Sequence, residues 1–328
     1  MTTKEQLSVL LENEETSFLS GSLIAENLGL SRNAIWKNIK SLEADGYEIE
    51  ALTNKGYKLS ETNDVASENL IKKYLGDDEK FFNLEVLPNV ASTNDYLKEK
   101  AGSLPEWSVV ISREQSLGKG RLGRSFYSPS KTGLYLSVLL RPSFEAEKAV
   151  KITTAAAVSA CLAIEEISDV KPEIKWVNDV FVEGKKVCGI LTEAAFNMEL
   201  GLLDWAIMGI GFNIYEPEEG FPEEIKDIAG PVLKAQKKDF KSMLTASFLK
   251  NFRHICQTIE TETFSDEYKK RCFVIGRKIN VIKGNAKIPA TALDVDSECR
   301  LLVEYEDGKQ ELLSTGEVSI RPFKKEEK

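Results

Sequence analysis

The spacing of the apolar residues changes twice along this chain, and this change constrains the fold more than any single motif does. Up to about residue 61 the apolar residues follow a helical period and then alternate as in a hairpin. A long stretch of mixed pattern comes next, and short alternating runs begin at Cys272. A chain of 328 residues is also too long for one ordinary hydrophobic core. We therefore expect three domains, at residues 1–62, 66–270 and 271–328.

The first region has the pattern of a winged helix-turn-helix. Leu23, Ile24 and Leu28 lie at helical spacing, and Gly29 suits the tight turn that follows them. The segment YEIEALTNKGYKL then alternates like a hairpin whose tip is Asn-Lys-Gly. We expect the helix-turn-helix from Gly21 to Lys40, with the hairpin as its wing.

The second helix of the helix-turn-helix is a candidate for reading DNA. Its outer face and the hairpin tip carry basic, amide and hydroxyl side chains. Ser31, at the start of the helix, is also a favourable N-cap. These residues are Ser31, Arg32, Asn33, Lys37, Asn38, Lys40 and, in the wing, Lys55. Residues 1–61 hold six Lys and Arg against ten Asp and Glu, a net charge of −4, so useful affinity should require two copies on paired half-sites. The alternative is a protein-interaction module.

The rest of the chain predicts an α+β domain followed by a small all-β barrel. In the central region strands and helices are intermixed, as in a mixed sheet flanked by helices. After Cys272 the short strands and turns, with Asp307-Gly308 as a hairpin signal, indicate a barrel of about fifty residues. Strands are expected at 84–87, 107–112, 134–140, 173–177, 180–183, 187–194 and 204–213, and helices at 4–12, 93–100, 146–167 and 238–260.

Composition excludes several functional classes. The only histidine is His254, so neither a Ser-His-Asp triad nor a zinc site of the usual ligand set can be assembled. The net charge of −9 argues against general affinity for nucleic acid. The longest apolar stretch, Thr153–Ile164, is too short to span a bilayer, and no export signal is visible. Five scattered cysteines fit reduced thiols, so we expect a cytoplasmic protein with no membrane partner.

The stretch QSLGKGRLGRSFYSP, Gln115 to Pro129, contains a glycine motif whose surroundings decide its meaning. Gly118, Gly120 and Gly123 satisfy G-x-G-x-x-G, the spacing of a dinucleotide-binding turn. No helix is expected after the motif, no N-terminal βαβ unit contains it and no Walker motif is present, so that interpretation fails. Three cations also lie in the loop: Lys119, Arg121 and Arg124. Such a loop suits an anionic, phosphorylated intermediate, and the alternative is a solvated basic loop.

Three further segments, in order with the GKGRLGR loop, closely resemble the biotin protein ligases: VASTNDYLKE, IKWVNDVFVEGKKVCGILTEA and MGIGFNIY. With the winged helix in front, the chain resembles the bifunctional form, which is both biotin ligase and biotin operon repressor. The resemblance runs from about residue 4 to 321 and includes GEVSIRP. It implies a catalytic domain similar to class II aminoacyl-tRNA synthetases and an SH3-like C-terminal barrel. Lys119 and Val177 depart from the family pattern, where Arg and Pro are usual.

The resemblance implies a two-step reaction with biotin and MgATP. The biotin carboxylate attacks the α-phosphorus of ATP and gives biotinyl-5′-AMP and pyrophosphate. A lysine of a biotin carrier domain, in acetyl-CoA carboxylase or pyruvate carboxylase, then attacks the mixed anhydride. Both steps develop charge on phosphate or carbonyl oxygens, so fixed cations and N–H donors can serve without histidine.

The resemblance also implies the site residues. Those for biotin are Ser92, Thr93, Asn94, Gln115, Lys119, Gly120, Arg121 and Lys186. Those for ATP are Gly118, Arg124, Lys175, Asn178, Asp179 and Asn213. Lys186 would neutralise charge during the attack and Arg121 would hold the adenylate. No dedicated metal site is expected, because Mg²⁺ arrives with ATP and Asp179 either contacts it or orients a lysine.

Several residues have competing interpretations. Ser92 could simply cap its helix, and Trp176 is better explained as a core residue than as a ligand. Gly209 and Gly211 are expected to let the backbone approach adenosine, or else to bend a strand. The aliphatic tail of biotin is expected to lie against apolar strand residues, in either 134–140 or 188–191.

The bifunctional resemblance implies that biotinyl-5′-AMP is a corepressor as well as an intermediate. Ordering of the loop over the adenylate would favour a homodimer that sets two winged helices on operator DNA, with edge-to-edge pairing of the sheets as one geometry. Three alternatives remain: a lipoate ligase, a biotin-sensing regulator without catalysis, and a ligase whose N-terminal domain no longer binds DNA.

Overall fold

The structure, a computed structural model, describes residues 2–14, 17–142, 149–197, 202–259 and 264–320. Its N-terminal part consists of three helices and a hairpin: α1 (Thr3–Asn13), α2 (Gly21–Leu28), α3 (Arg32–Ala44), β1 (Ile49–Leu52) and β2 (Gly56–Leu59). The two strands pair antiparallel. The helix-turn-helix followed by a wing is therefore confirmed.

Local chemistry explains where these helices begin and end. The Ser31 hydroxyl accepts a hydrogen bond from the Ala34 N–H at 3.2 Å and starts α3, as expected for an N-cap. Gly29 ends α2 with φ +64°, a conformation that favours glycine. Ile35, Ile39 and Leu42 of α3 are buried against α1 and α2 and form one core.

The central region is built on a seven-stranded mixed sheet. Its strands are β3 (Asn83–Leu87), β4 (Ser108–Ser112), β5 (Gly133–Leu140), β6 (Glu173–Lys175), β7 (Asp179–Val182), β8 (Lys185–Asn197) and β9 (Leu202–Asn213). The spatial order is β3-β4-β5-β9-β8-β7-β6, and only the β3–β4 pair is parallel among the described strands. The predicted mixed sheet is confirmed.

Within the described residues five α-helices accompany this sheet: α4 (Glu68–Leu75), α5 (Thr93–Lys100), α6 (Val150–Ile167), α7 (Phe240–Thr258) and α8 (Ser265–Arg271). The apolar residues of α6 and α7 pack on one face of the sheet, while Leu97 of α5 packs on the other face with Val110, Leu139 and Ile207. The expected start of α7, at residue 238, was two residues too early, and residues 146–148 and 260 of the expected helices lie outside the described part. The short helices α4 and α8 were not expected.

The C-terminal region is β-rich. Five strands form an antiparallel sheet in the order β13-β12-β11-β10-β14: β10 (Lys278–Lys283), β11 (Ala286–Val295), β12 (Leu301–Tyr305), β13 (Gln310–Leu313) and β14 (Glu317–Ile320). The Asp307-Gly308 turn joins β12 to β13, with Gly308 at φ +83°. Apolar residues such as Val281 and Val303 belong to the same buried core as the central region. None of the helices that the structure describes is both long and apolar enough to cross a membrane.

Candidate active site

A cleft lies between the start of α5, the glycine-rich loop, strands β7 to β9 and strand β14. It encloses about 890 Å³ of space between atoms, part of it open to solvent. Twelve of the fourteen residues expected at the site line this one cleft: Ser92, Thr93, Asn94, Gln115, Lys119, Gly120, Arg121, Arg124, Lys175, Asn178, Asp179 and Lys186. Segments up to 94 residues apart in sequence thus meet at one place.

Gly118 and Asn213 do not line the cleft. A Cβ on Gly118 would overlap the Phe126 carbonyl and the Ser128 hydroxyl, so this glycine allows the loop to close on itself. Asn213 donates from its amide to the Lys186 carbonyl at 3.4 Å. Both residues support groups that line the cleft.

The glycine-rich loop folds as a compact turn and does not lead into an α-helix. The Gly120 N–H donates to the Arg124 carbonyl at 2.7 Å, and the Phe126 N–H donates to the Gly118 carbonyl at 2.8 Å. Between them Leu122 and Gly123 have φ of +56° and +75°. The next regular element is β5, so the structure rejects a dinucleotide-binding turn here.

Each cation of this loop contacts a polar side chain outside the loop. Lys119 Nζ lies 2.6 Å from Asp95 Oδ1 on α5. Arg121 donates to Asn178 Oδ1 at 3.0 Å. Arg124 makes a two-pronged ion pair with Glu317 on β14, with both N–O distances at 3.0 Å. The loop is therefore fastened across the cleft, including to the C-terminal region.

A chain of hydrogen bonds organises one end of the cleft. Gln115 Oε1 accepts from the Thr93 N–H at 2.9 Å and from the Thr93 hydroxyl at 3.1 Å, while Gln115 Nε2 donates to Ser128 at 3.1 Å. The Ser137 hydroxyl lies beneath, 2.7 Å from Thr93 Oγ1 and 2.6 Å from Asn94 Oδ1. Thr93 and Gln115 are therefore held in fixed orientations. Ser92 accepts from the Asp95 N–H at 3.4 Å, so its capping role is present as well as its place in the cleft.

Asn94 is engaged within the protein. Its Nδ2 donates to Glu193 Oε2 at 2.9 Å and to the Leu191 carbonyl at 3.4 Å, and its Oδ1 faces Ser137. Gly209 makes room for this amide, because a Cβ at that position would overlap Asn94 Oδ1. Asn94 therefore fastens the start of α5 to β8.

The other end of the cleft is charged. Lys186 Nζ lies 2.6 Å from Asp179 Oδ1, and the side chains are only 27% and 19% exposed. Asn178 Nδ2 donates to the Ile190 carbonyl at 2.9 Å while its Oδ1 receives Arg121. Burial lowers the pKa of the Lys175 ammonium from its ordinary value, and Asp179 opposes that shift. These groups would meet an anion with several fixed donors.

The turn that carries Asn178 and Asp179 is held from outside the sheet. The Trp176 indole N–H donates to the Cys299 carbonyl at 3.0 Å, and the buried Tyr268 hydroxyl donates to the Val177 carbonyl at 3.1 Å. Trp176 is buried, as expected for a core residue, although one edge reaches the cleft. The α8 helix and the C-terminal region thus position Asn178 and Asp179.

Gly209 and Gly211 both line the cleft, and each also makes room for a side chain of this chain. Gly209 admits Asn94, and a Cβ on Gly211 would overlap the ring of Phe126. Side chains of this chain fill the space over both glycines, because a flat glycine surface on β9 lets them approach the sheet closely. For the aliphatic wall, the segment 188–191 contributes Gly189, Ile190 and Leu191 to the cleft, whereas no residue of 134–140 lines it.

Sequence reasoning missed several residues at the cleft. Phe126 follows the charged loop, and Glu317 and Val318 come from the C-terminal region. The signal for the last two was the GEVSIRP segment, but the expectation attached no site role to it. Among the described residues no cluster of three or more His, Cys, Asp or Glu could hold a metal ion.

The outer face of α3 is separate from this cleft. Ser31, Arg32, Asn33, Lys37 and Lys40 are exposed there, as is Lys55 in the wing. Asn38 is different, because its amide donates back to the Ala34 carbonyl at 2.9 Å. Lys40 also pairs with Glu43 at 2.6 Å.

The fold and the site define a class: a winged helix-turn-helix joined to a mixed-sheet domain whose cleft presents cations and amides beneath a glycine-rich loop. Comparison with known proteins finds a matching family model for each of the three parts of the chain. The family model for the biotin/lipoate A/B protein ligase family matches residues 86–213, a helix-turn-helix model matches 3–58, and the model for the biotin protein ligase C-terminal domain matches 274–321.

Several relatives match over nearly the full length. The bifunctional ligase/repressor BirA of Bacillus subtilis strain 168 is 31% identical over 318 residues, which is 95% of this chain and 97% of that protein. BirA of Escherichia coli K12 is 28% identical over 98% of both chains. Among solved structures, the Aquifex aeolicus biotin protein ligase in complex with biotin and ATP covers 73% of this chain and 98% of its own, with 28% identity and a TM-score of 0.60. The chain belongs to the biotin protein ligase family.

Proposed function

We propose that this protein is an ATP-dependent biotin protein ligase that forms biotinyl-5′-AMP and transfers biotin to a lysine of a carrier domain. The observation that carries the proposal is the single cleft in which a fixed neutral hydrogen-bonding end and a fixed cationic end face each other. A molecule with a polar, uncharged head and an activated carboxylate matches that division.

The neutral end fits the ureido ring of biotin. Thr93 donates its hydroxyl hydrogen to Gln115, so a lone pair of Thr93 Oγ1 can accept a ureido N–H. The Ser92 hydroxyl accepts from the backbone, so its own hydrogen can be donated to the ureido oxygen. Asn94 supports this end from behind, and Lys119 and Gly120 close it from the loop.

The cationic end fits the reacting groups. In the first step a biotin carboxylate oxygen bonds to the α-phosphorus and pyrophosphate leaves. Lys186, held by Asp179, neutralises the two anions as they approach, and Arg121, held by Asn178, grips the adenylate. Lys175 and Arg124 extend the cationic wall toward the remaining phosphates, and Arg124 would exchange Glu317 for phosphate. Mg²⁺ enters with ATP, and the contact with Lys186 favours Asp179 as the residue that orients this lysine.

In the second step the carrier lysine amine attacks the acyl carbon of the adenylate. The carbon–oxygen bond to AMP breaks, AMP leaves, and the amine loses its proton as the amide forms. The same cations stabilise the departing phosphate, so no histidine is required. The carrier would be that of acetyl-CoA carboxylase or pyruvate carboxylase.

Single-turnover incubation with radiolabelled biotin and MgATP, followed by purified biotin carrier domain, tests the ligase proposal. Labelled adenylate should remain on the enzyme and then move to the carrier. Lys186→Met should lose adenylate formation, whereas Lys185→Met should not, because Lys185 Nζ donates to the Lys226 and Asp227 carbonyls outside the cleft. Biotin binding without any adenylate would identify a sensor, and activation of lipoate instead would identify a lipoate ligase.

We also propose that the protein represses biotin genes, with biotinyl-5′-AMP as corepressor and a homodimer as the DNA-binding form. The exposed cations of α3 and the wing support DNA binding, while the net charge of −4 over residues 1–61 supports a need for two copies. A mobility-shift assay should show operator binding that requires biotin and MgATP. Tight binding by the ligand-free monomer would contradict this part, and no binding under any condition would leave a ligase alone.

The finer architecture belongs to the same proposal. We propose domain limits at 1–62, 66–270 and 271–328, a central domain related to class II aminoacyl-tRNA synthetases, and an SH3-like closure of the C-terminal sheet. The five free cysteines support a reducing, cytoplasmic location.

A further inference from the structure

Trp36 is an anomaly on the surface of the winged helix. Its side chain is 54% exposed, although tryptophan side chains are highly buried on average. It is the fifth residue of α3, in the half of the helix that begins at the Ser31 cap. Within the described part of the chain no aromatic ring or cation lies against the face of its indole. The fold therefore does not use this side chain for its core.

The neighbours of Trp36 indicate which kind of partner suits this face. Asn33 and Lys40 lie three and four residues from Trp36 and therefore share its side of the helix. A groove runs between α3 and the wing, and Trp36 lines it together with Arg32 and Lys55. These cations and the amide are suited to a polyanion with hydrogen-bonding edges.

The charge distribution makes this face the only cationic surface of the N-terminal region among its described residues. Residues 1–61 contain six Lys and Arg, and four of them are Arg32, Lys37, Lys40 and Lys55. The other two lie outside this face and are paired, Lys4 with Asp45 and Lys58 with Glu50 and Glu61, while within the face Lys40 is paired with Glu43. The occupant that fits an apolar centre within a cationic rim is duplex DNA.

We propose that Trp36 reads a thymine in each operator half-site through the C5-methyl group, an inference that rests on the proposed repressor function. In the major groove the thymine methyl is the apolar feature of the base edges, and residues near the start of a recognition helix reach those edges. Asn33 and Lys37 provide the neighbouring polar contacts. Trp36 is then a specificity-determining residue, whereas Lys40 and Lys55 supply affinity without sequence preference.

A protein–DNA double-mutant cycle tests the inference. The probe is the duplex that the wild-type protein, with biotin and MgATP, selects from a random-sequence pool. Each thymine is replaced in turn by deoxyuridine, which removes only the methyl group. One thymine per half-site should be found whose replacement weakens wild-type binding about fourfold per half-site, the value of one buried methylene-sized group.

Trp36→Ala should weaken binding on the order of tenfold per half-site and should be indifferent to deoxyuridine at that same position. Trp36→Phe should retain part of the methyl effect. Leu23→Ala is the matched control, because Leu23 is 43% exposed on α2 and does not line the groove between α3 and the wing. It should keep the full deoxyuridine effect. Adenylate formation by all three variants should equal that of the wild type, which also shows that they are folded.

Equal deoxyuridine effects in wild type and Trp36→Ala would overturn the role of Trp36 while leaving the repressor function in place. Unchanged affinity of Trp36→Ala for the selected duplex would do the same and would indicate a protein partner for this face. If the wild-type protein selects no sequence although it forms the adenylate, the repressor proposal and this inference both fall.

Discussion

Gly209 on β9 leaves no room for a side chain, and this gives a prediction at the scale of one residue. A Cβ there would overlap Asn94 Oδ1, which faces Ser137 in the chain of hydrogen bonds that reaches Thr93. Overpacking of this kind costs roughly 1–3 kcal/mol, so Gly209→Ala should weaken biotin binding roughly tenfold or more in a calorimetric titration. Gly102→Ala is the control, since its Cβ would meet nothing within 4 Å. Equal affinities in the two variants would contradict the role given to this chain.

The pH dependence of ATP use should report on Lys175. Burial lowers the pKa of its ammonium below the ordinary 10.5, so the side chain loses its charge at a lower pH than a free lysine does. As pH rises through that pKa, attraction for phosphate is lost and kcat/KM for MgATP should fall. Lys175→Arg should remove this alkaline fall, because arginine stays charged. Lys185→Arg serves as control and should keep it, and a fall that persists in Lys175→Arg would assign the titration to another group.

At the scale of elements, α8 is expected to act on the nucleotide end of the cleft. Tyr268 donates its hydroxyl to the Val177 carbonyl, next to Asn178 and Asp179. Loss of one such hydrogen bond is worth about 1 kcal/mol, so Tyr268→Phe should raise KM for MgATP roughly fivefold with little change in biotin affinity. Steady-state kinetics of adenylate formation, varying each substrate separately, gives the split.

The matched control for Tyr268 is Tyr47→Phe. Tyr47 is also a buried tyrosine and donates to Glu12 at 3.1 Å, but it lies in the winged helix. Both variants lose one buried hydrogen bond, and only Tyr268→Phe should change KM for MgATP. The same change in both variants would mean that general stability, and not the position of the turn, is responsible.

At the scale of the whole molecule, a buried ion pair joins the segment after the wing to the central domain. Asp64 accepts from the Tyr215 hydroxyl at 2.6 Å and from the Lys241 N–H at 2.8 Å, and its carboxylate lies 4.0 Å from Lys241 Nζ. Burial raises the pKa of Asp64 and lowers the pKa of Lys241, and each opposes the shift of the other. Nearby, Arg113 donates to the Ala66 and Asp45 carbonyls, which adds contact between the two regions.

Lys241→Met should destabilise the protein by roughly 3–5 kcal/mol at neutral pH, because it leaves Asp64 buried without its cation. The pKa of Asp64 in the fold is raised above its unfolded value, so the fold prefers the protonated acid. Stability of this variant should therefore increase as pH falls toward 3.8, the ordinary pKa of the acid. Urea unfolding at two pH values measures both effects. Lys250→Met, an exposed lysine on the same helix α7, should change little, and an equal loss in both variants would contradict the argument.

The sequence predicted the parts of the molecule whose causes are local. Helix caps at Ser31 and Ser92, the turn at Gly29 and the alternation of the wing depend on neighbours a few residues away, and the structure has each of them. The short helices α4 and α8 were missed, although α5, which is as short as α4, was predicted within its motif. The site residues were found through motif resemblance, since their spacing in sequence gives no geometry.

The sequence by itself therefore determined three things: the order of the domains, the chemistry available without a histidine pair, and which four motifs carry the site. Tertiary structure alone decided that Gly118 and Asn213 stand behind the cleft, that Gly209 and Gly211 receive Asn94 and Phe126, and that Glu317 holds Arg124. The physical reason is distance along the chain. Local preferences act over a few residues, whereas these contacts join elements as far apart as 193 residues and exist only once the sheet has brought them together.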